Sequence, residues 1–293
     1  MAAQDITQRF IFDNADVRGE LASLDSSYRE ILAKHAYPQP VQALLGEMLA
    51  AAVLLSTTIK FDGLLILQAS SSGPVSTLMV ECSSDQAVRG IARYADDLQG
   101  ETLDELMPDG VLAITIDPTN GQRYQGIVSL EGGSLAAALD SYFANSEQLP
   151  TRFRLLADGR AARGFLLQAL PADRQPDAQE REETWQRLNI LADTLSAEEL
   201  ISLDNQTLLH RLYHEEDVRL FDARPARFEC SCSAERSGNA LVSLGREDVL
   251  QLLQEQGGEI TVDCQFCNSR YQYDEAAVHA LFDAAAEHAR SLH

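Results

Sequence analysis

The sequence predicts an α+β chain of three segments, and three observations carry that reading. Short β-rich runs, often alternating apolar with polar residues, crowd the first 170 residues, acidic charge becomes denser after residue 170, and four of the five cysteines fall within the last 64 residues. The formal net charge of −22 is spread as −9 over residues 1–170, −7 over 171–229 and −6 over 230–293. Such a surface disfavours phosphate backbones and anionic lipid, so neither nucleic acid nor membrane is an expected partner. With 45% hydrophobic residues the chain can fill a core.

In the first segment the runs RFIFD, GLLILQA, VSTLMVE, VLAITID, YQGIVSL and RFRLLA are bounded by Gly, Asn, Asp and Pro, the signature of strands. VQALLGEMLAAAVLL is apolar on nearly every face and reads as a buried helix, with SLAAALDSYFAN a shorter one. Strands come as neighbouring pairs rather than in strict βαβ alternation, which points to a mixed or antiparallel sheet domain over residues 1–170.

Residues 171–229 open with the polar connector PADRQPDAQEREE and continue as a charged helical linker. Ser196 and Glu199 form a capping-box pair, and Leu195 with Leu200 a hydrophobic staple, so a helix is expected to start at Ser196. Trp185, Leu188, Leu191 and Leu195, then Leu200, Leu203, Leu208, Leu209 and Leu212, stripe these short helices. Helices this short are marginal without a surface under the stripe. Taken alone, the stripes fit an ordinary helical layer between domains.

Residues 230–293 carry the pattern CxC-x31-CxxC, made by Cys230, Cys232, Cys264 and Cys267. Two close pairs can complete the tetrahedral thiolate shell that zinc prefers. An iron–sulfur cluster fits less well, because CxC is not a usual ferredoxin spacing. The N-terminus MAAQDITQRF has no basic region followed by an apolar stretch, and the apolar run Ala43–Leu55 is interrupted by Gly46 and Glu47. Neither secretion nor membrane spanning is therefore expected, and the cysteines are placed in a reducing cytoplasm, where clustered thiols signal metal or redox chemistry.

A fragment of 64 residues is near the lower limit for an independent core, so its folding should lean on the metal, worth roughly 10–16 kcal/mol in small zinc modules. Zinc also holds the sulfurs as thiolates, the form that oxidants attack, and each has a neighbour to condense with. Bridges within the close pairs would close loops of three and four residues, worth roughly 2 kcal/mol each, whereas a long-loop cross-link would staple the segment.

Other candidates are weaker. Cys82 reads as structural, and His210 with His214 as a solvated helix face lacking the Glu of a zincin motif. Arg236, Tyr271 and Tyr273 flank the thiols and could either support the sulfurs by contact or pack the small module, packing being the favoured role of the tyrosines. The runs SSSGPVS and LEGGS lack the features of a phosphate loop, so no nucleotide is expected. A zinc-ribbon nucleic-acid module would meet repulsion from the −6 charge of its own segment, and a dithiol oxidoreductase would need a βαβ context and a single reactive pair.

The residues also resemble a known family along nearly the whole chain. VRGELASLD, YPQPVQALLGEMLAAAVLLSTTIKFDGLLILQ, RYQGIVSLEGG, YFANSEQLPTRF, FECSCSAER with LVSLGREDVLQLL, and GGEITVDCQFCNSRYQYD are similar to the redox-regulated heat-shock holdases, the 33-kDa chaperonins. The resemblance implies a non-enzymatic, ATP-independent chaperone, silent while one zinc ion is held by Cys230, Cys232, Cys264 and Cys267. It implies activation by Cys230–Cys232 and Cys264–Cys267 disulfides with zinc release, unfolding of the C-terminal region, capture of unfolding clients, and dimerisation in the oxidised form. It makes the linker the client-contacting region, with Trp185, Leu188, Leu191, Leu195, Leu200 and Leu203 as its apolar candidates.

Overall fold

A computed structural model of the protein describes residues 5–291, with the side chains of 5–285; the last two residues of the third segment lie outside the described residues. The chain divides at Glu229/Cys230 into two compact units.

The first unit opens with an antiparallel hairpin of β1 (Asp5–Phe12) and β2 (Val17–Leu24), then α1 (Ser26–Leu32) and the long α2 (Gln39–Thr58). Strands β3 (Gly63–Ser70), β4 (Val75–Ser83) and β5 (Ala87–Tyr94) form a meander. After the single-turn α3 (Leu103–Leu106) come β6 (Val111–Pro118), β7 (Tyr124–Ser129), α4 (Leu135–Asn145), β8 (Thr151–Ala157) and β9 (Ala162–Ala169). The linker supplies α5 (Ala178–Asp193), α6 (Ala197–Ser202), α7 (Asn205–Tyr213) and the short strands β10 (Val218–Leu220), β11 (Arg224–Pro225) and β12 (Arg227–Phe228).

Two six-stranded sheets result, one in the order β10-β1-β2-β9-β8 with β11 beside β1, the other β12-β5-β4-β3-β6-β7. All pairings in them are antiparallel except that of β12 with β5, so the α+β class expected from sequence is the one observed. Helix α2 packs on strands of both sheets, and every residue from Met48 to Thr57 is buried, which is why its sequence shows no polar face. It is the one described helix long and apolar enough to cross a membrane, and 72% of its apolar window is buried inside the protein. The two residues that interrupt its apolar run have separate causes. A Cβ on Gly46 would stand 2.4 Å from the Ala157 methyl, and Glu47 is a desolvated carboxyl whose pKa burial raises to about 7.

The linker departs from an all-helical reading, because beyond Tyr213 it becomes extended chain. Val218–Leu220 and Arg224–Pro225 pair with β1 and Arg227–Phe228 with β5, edge strands whose open backbone groups outweigh local helix preference. Its helices keep their apolar stripes against the first sheet. Leu188, Ala192, Leu200, Leu208, Leu209, Leu212 and Tyr213 share a buried cluster with Phe10, Phe12, Val17, Leu21, Phe165 and Leu167. The Ser196–Glu199 capping box is formed as expected, with Ser196 Oγ accepting the Glu199 N–H and the Glu199 carboxylate accepting the Ser196 N–H.

The second unit contains α8 (Ala234–Leu244), α9 (Arg246–Glu255), the hairpin β13 (Glu259–Asp263) and β14 (Arg270–Asp274), and α10 (Glu275–Ser291). Gly245, at φ 98°, separates α8 from α9, a conformation that costs other residues strain. The core of this unit is small: Leu241, Val249, Leu253, Ile260, Tyr273 and Val278, with partly buried neighbours such as Leu281.

Candidate metal centre

The β13–β14 hairpin carries one pair of cysteines in its turn. Cys264 N–H donates to Ser269 O at 2.9 Å and Asn268 N–H to Cys264 O at 2.8 Å, so the loop folds back on itself. Asn268 sits at φ 61°, a left-handed conformation that Asn tolerates better than most residues. At the base of the turn the Arg270 guanidinium donates twice to the Asp263 carboxylate, at 2.8 and 3.1 Å.

The other pair lies in residues 229–233, which have no helix or strand of their own. Side chains fix this arm instead. Arg236 donates to Ser231 O and Oγ at 3.1 and 2.6 Å, and Ser233 Oγ caps α8 by accepting the Arg236 N–H. From β14, Tyr271 Oη donates to Cys232 Sγ at 3.1 Å and Tyr273 Oη to Ala234 O at 2.8 Å.

The four sulfurs of Cys230, Cys232, Cys264 and Cys267 all lie within 4.8 Å of one another, and each residue is half-buried. The Cys230–Cys264 and Cys232–Cys267 sulfurs are 3.6 and 3.3 Å apart. A tetrahedral ion with metal–sulfur bonds of about 2.3 Å needs sulfur–sulfur edges of about 3.8 Å. The cage is therefore of the right size, and an all-sulfur donor set is of the right softness, for a tetrahedral metal. Among the described residues no other group of His, Cys, Asp or Glu converges in this way.

The thiols are not equivalent. Burial raises the pKa of Cys267, but this is outweighed by hydrogen bonds with the Ser269 hydroxyl and backbone and with Cys232 and Cys230, leaving it at about 6. Cys264 is raised, chiefly by burial, against the opposing backbone N–H groups of Cys267 and Phe266. The Tyr271 hydroxyl is held up to about 12, first by its bond to Cys232. For Tyr271 the less favoured of the two roles open to it in the sequence is the one observed, a direct contact with a sulfur; Tyr273 packs as expected, and its hydroxyl holds a carbonyl besides.

The remaining candidates fall elsewhere. Leu188 and Leu200 are buried in the linker cluster, and Trp185, Leu191, Leu195 and Leu203 pack against it partly covered. Cys82 is buried in the core of the first unit, its thiol pushed up to about 12 by burial. His210 and His214 stack on each other on the exposed side of α7.

A family model described as Hsp33 protein matches residues 5–274. The chain is 63% identical over 287 residues to a 33 kDa chaperonin of Pseudomonas paraeruginosa, covering 97% of each chain. It is 64% identical over 284 residues to a 33 kDa chaperonin of Azotobacter vinelandii, covering 96% of each. Among solved structures it resembles the crystal structure of a 33 kDa chaperonin from Thermotoga maritima, with a TM-score of 0.81 over 97% of this chain and 100% of that one. At 22% identity this last likeness shows the fold alone.

Proposed function

The chain belongs to the Hsp33 protein family, and from that premise we propose that it is a redox-regulated, ATP-independent holdase whose latch is the four-sulfur centre. In this reading residues 1–170 are the core, 171–229 the client-contacting linker and 230–293 the switch. Zinc, bound by Cys230, Cys232, Cys264 and Cys267, supplies the cohesion that the small core around Leu241, Val249 and Ile260 lacks.

The observation that carries the reading is the burial of the linker's apolar stripes. Leu188 and Leu200 are buried in the cluster with Phe10, Phe12 and Phe165, and Trp185, Leu191, Leu195 and Leu203 pack against it partly covered, so a client gains the whole stripe only after the linker lifts. The linker's last strand, Arg227–Phe228, makes a two-residue pairing with β5 and is joined to Cys230 through Glu229 alone. Unfolding of the second unit therefore acts first on this short attachment of the linker. Once released, helices that are marginal alone become a charged, apolar-studded chain that can adapt to varied unfolding proteins. The charge of −22 keeps such complexes dispersed.

Oxidation within each close pair takes two electrons from two thiolates and leaves neither able to hold the metal. The protein then acts as a binding surface rather than an enzyme, in the cytoplasm, as a dimer when oxidised and without nucleotide. The test is a titration with hypochlorous acid in which zinc release and protection of a heated client are followed together. The two should rise in parallel, with one zinc lost per chain. Equal protection by reduced, zinc-loaded protein would sink the switch.

A further inference from the structure

Residues 230–232, which carry half of the metal centre, have no secondary structure to hold them, and β14 reaches across to this arm with two hydroxyls from one face. Tyr273 holds a carbonyl, Ala234 O at 2.8 Å, and its ring is in the core. Tyr271, two residues earlier, donates instead to a sulfur, Cys232 Sγ at 3.1 Å, the sulfur that also stands 3.3 Å from Cys267 Sγ. A hydrogen bond donated to a metal-held thiolate withdraws electron density from it. The metal keeps its ligand, and the sulfur becomes a poorer nucleophile towards oxidants and alkylating agents.

We propose that Tyr271 is a positioning residue that restrains the switch: its hydroxyl holds Cys232 in the metal shell and lowers the reactivity of that one sulfur, so setting the oxidant dose at which the centre opens. This rests on the reading of the four sulfurs as the redox latch. The step it slows is attack by a Cys thiolate on a peroxide, in which sulfur gains oxygen as a sulfenic acid and hydroxide leaves. The neighbouring thiolate then displaces a second hydroxide to form the S–S bond, so that two sulfurs together give two electrons to the peroxide. In the other arm the Cys267 thiol donates to Ser269 Oγ at 3.2 Å, so each arm has one hydroxyl beside one sulfur, but only that of Tyr271 donates to its sulfur.

The experiment uses full-length, reduced, zinc-loaded protein and its Tyr271→Phe variant, with metal content measured on both. Each is treated with limiting maleimide, and labelling of each cysteine is read by peptide mass mapping. The expected result is a rise of about tenfold in labelling of Cys232 relative to the other three, with a loss of zinc affinity of similar size. Tyr273→Phe, which removes a bond to a carbonyl rather than to sulfur, should leave the relative labelling of Cys232 unchanged. Uniform acceleration of all four cysteines in Tyr271→Phe would reduce Tyr271 to a packing residue and overturn the proposal, as would unchanged labelling. Because the readout is sulfur reactivity and not client protection, the proposal can fail while the chaperone reading stands, and the reverse.

Discussion

The hydroxyl of Tyr213, at the end of α7, donates to the backbone carbonyl of Leu188 in the middle of α5 at 3.1 Å, fully buried. Its ring meets that of Phe12 edge-on at 5.0 Å, so one side chain ties two linker helices to each other and to the first sheet. Truncation of a buried aromatic of this kind costs about 3–5 kcal/mol. Tyr213→Ala should therefore free the linker while leaving the metal centre intact, and the reduced, zinc-loaded variant should protect a heated client without oxidant. Light scattering of the client under reducing conditions is the measurement, and silence despite a protease-sensitive linker would show that exposure of these helices is not enough.

Asp16 fastens the other end of the linker. Its buried carboxylate accepts the N–H groups of Asp173, Arg174 and Gln175 at 2.9–3.2 Å. Burial raises its pKa, but the three backbone bonds and the nearby Arg174 charge together outweigh this and hold it below the ordinary carboxylate range. For an acid with a lowered folded pKa, the stabilising contribution is present above the unfolded value of about 3.9 and is lost as pH falls through the folded value. Asp16→Asn should remove charge-assisted bonds worth about 1.5–3 kcal/mol at neutral pH and erase that part of the acid sensitivity. The fluorescence of Trp185, the one tryptophan of the chain and part of the linker, followed as a function of pH in both proteins, reports it directly.

Removal of the metal without oxidation separates cohesion from disulfide chemistry. Among the described residues the second unit has a core of six buried apolar side chains, few for a segment of 64 residues. A strong chelator in the presence of reductant should therefore cost the protein the helical signal of α8, α9 and α10, measured by far-UV circular dichroism. Zinc added back should restore it. The first unit, with its own extensive core around α2, should keep its melting transition.

What could be read from the sequence was what depends on near neighbours in the chain. The Ser196–Glu199 box, the buried helix around Met48 and the CxC and CxxC pairs are each set by residues a few positions apart. Val17–Leu24 was harder to read as a strand, because Glu20 stands at a buried position and is sustained there by Arg9, 3.3 Å away on the paired strand. Likewise Ala87–Tyr94 carries Arg89, matched to Glu81 of β4 at 2.7 Å. Polar residues whose partners lie on another strand break the alternation that marks a strand. The contact of Tyr271 with Cys232 spans 39 positions, and only the folded hairpin decides which side of β14 faces the sulfurs.

The same geometry makes the pairing of sulfurs a real question. The short distances, Cys232–Cys267 and Cys230–Cys264, run between the two arms and not within them. Cross-arm bridges would close loops spanning 34 and 35 positions and stabilise the second unit by about 4 kcal/mol each, where bridges within the arms contribute about 2. Kinetics opposes thermodynamics here. Once the first sulfur is oxidised the metal loses a ligand and its hold on the two arms weakens, while cysteines within an arm stay tethered across one or two intervening residues. The sulfenic acid should meet its sequence neighbour first. A non-reducing peptide map after hypochlorous acid should therefore show Cys230–Cys232 and Cys264–Cys267, in protein that has become sensitive to protease across residues 230–293. Cross-arm bridges in a protease-resistant product would mean that oxidation fastens this unit, and its unfolding could not then be what frees the linker.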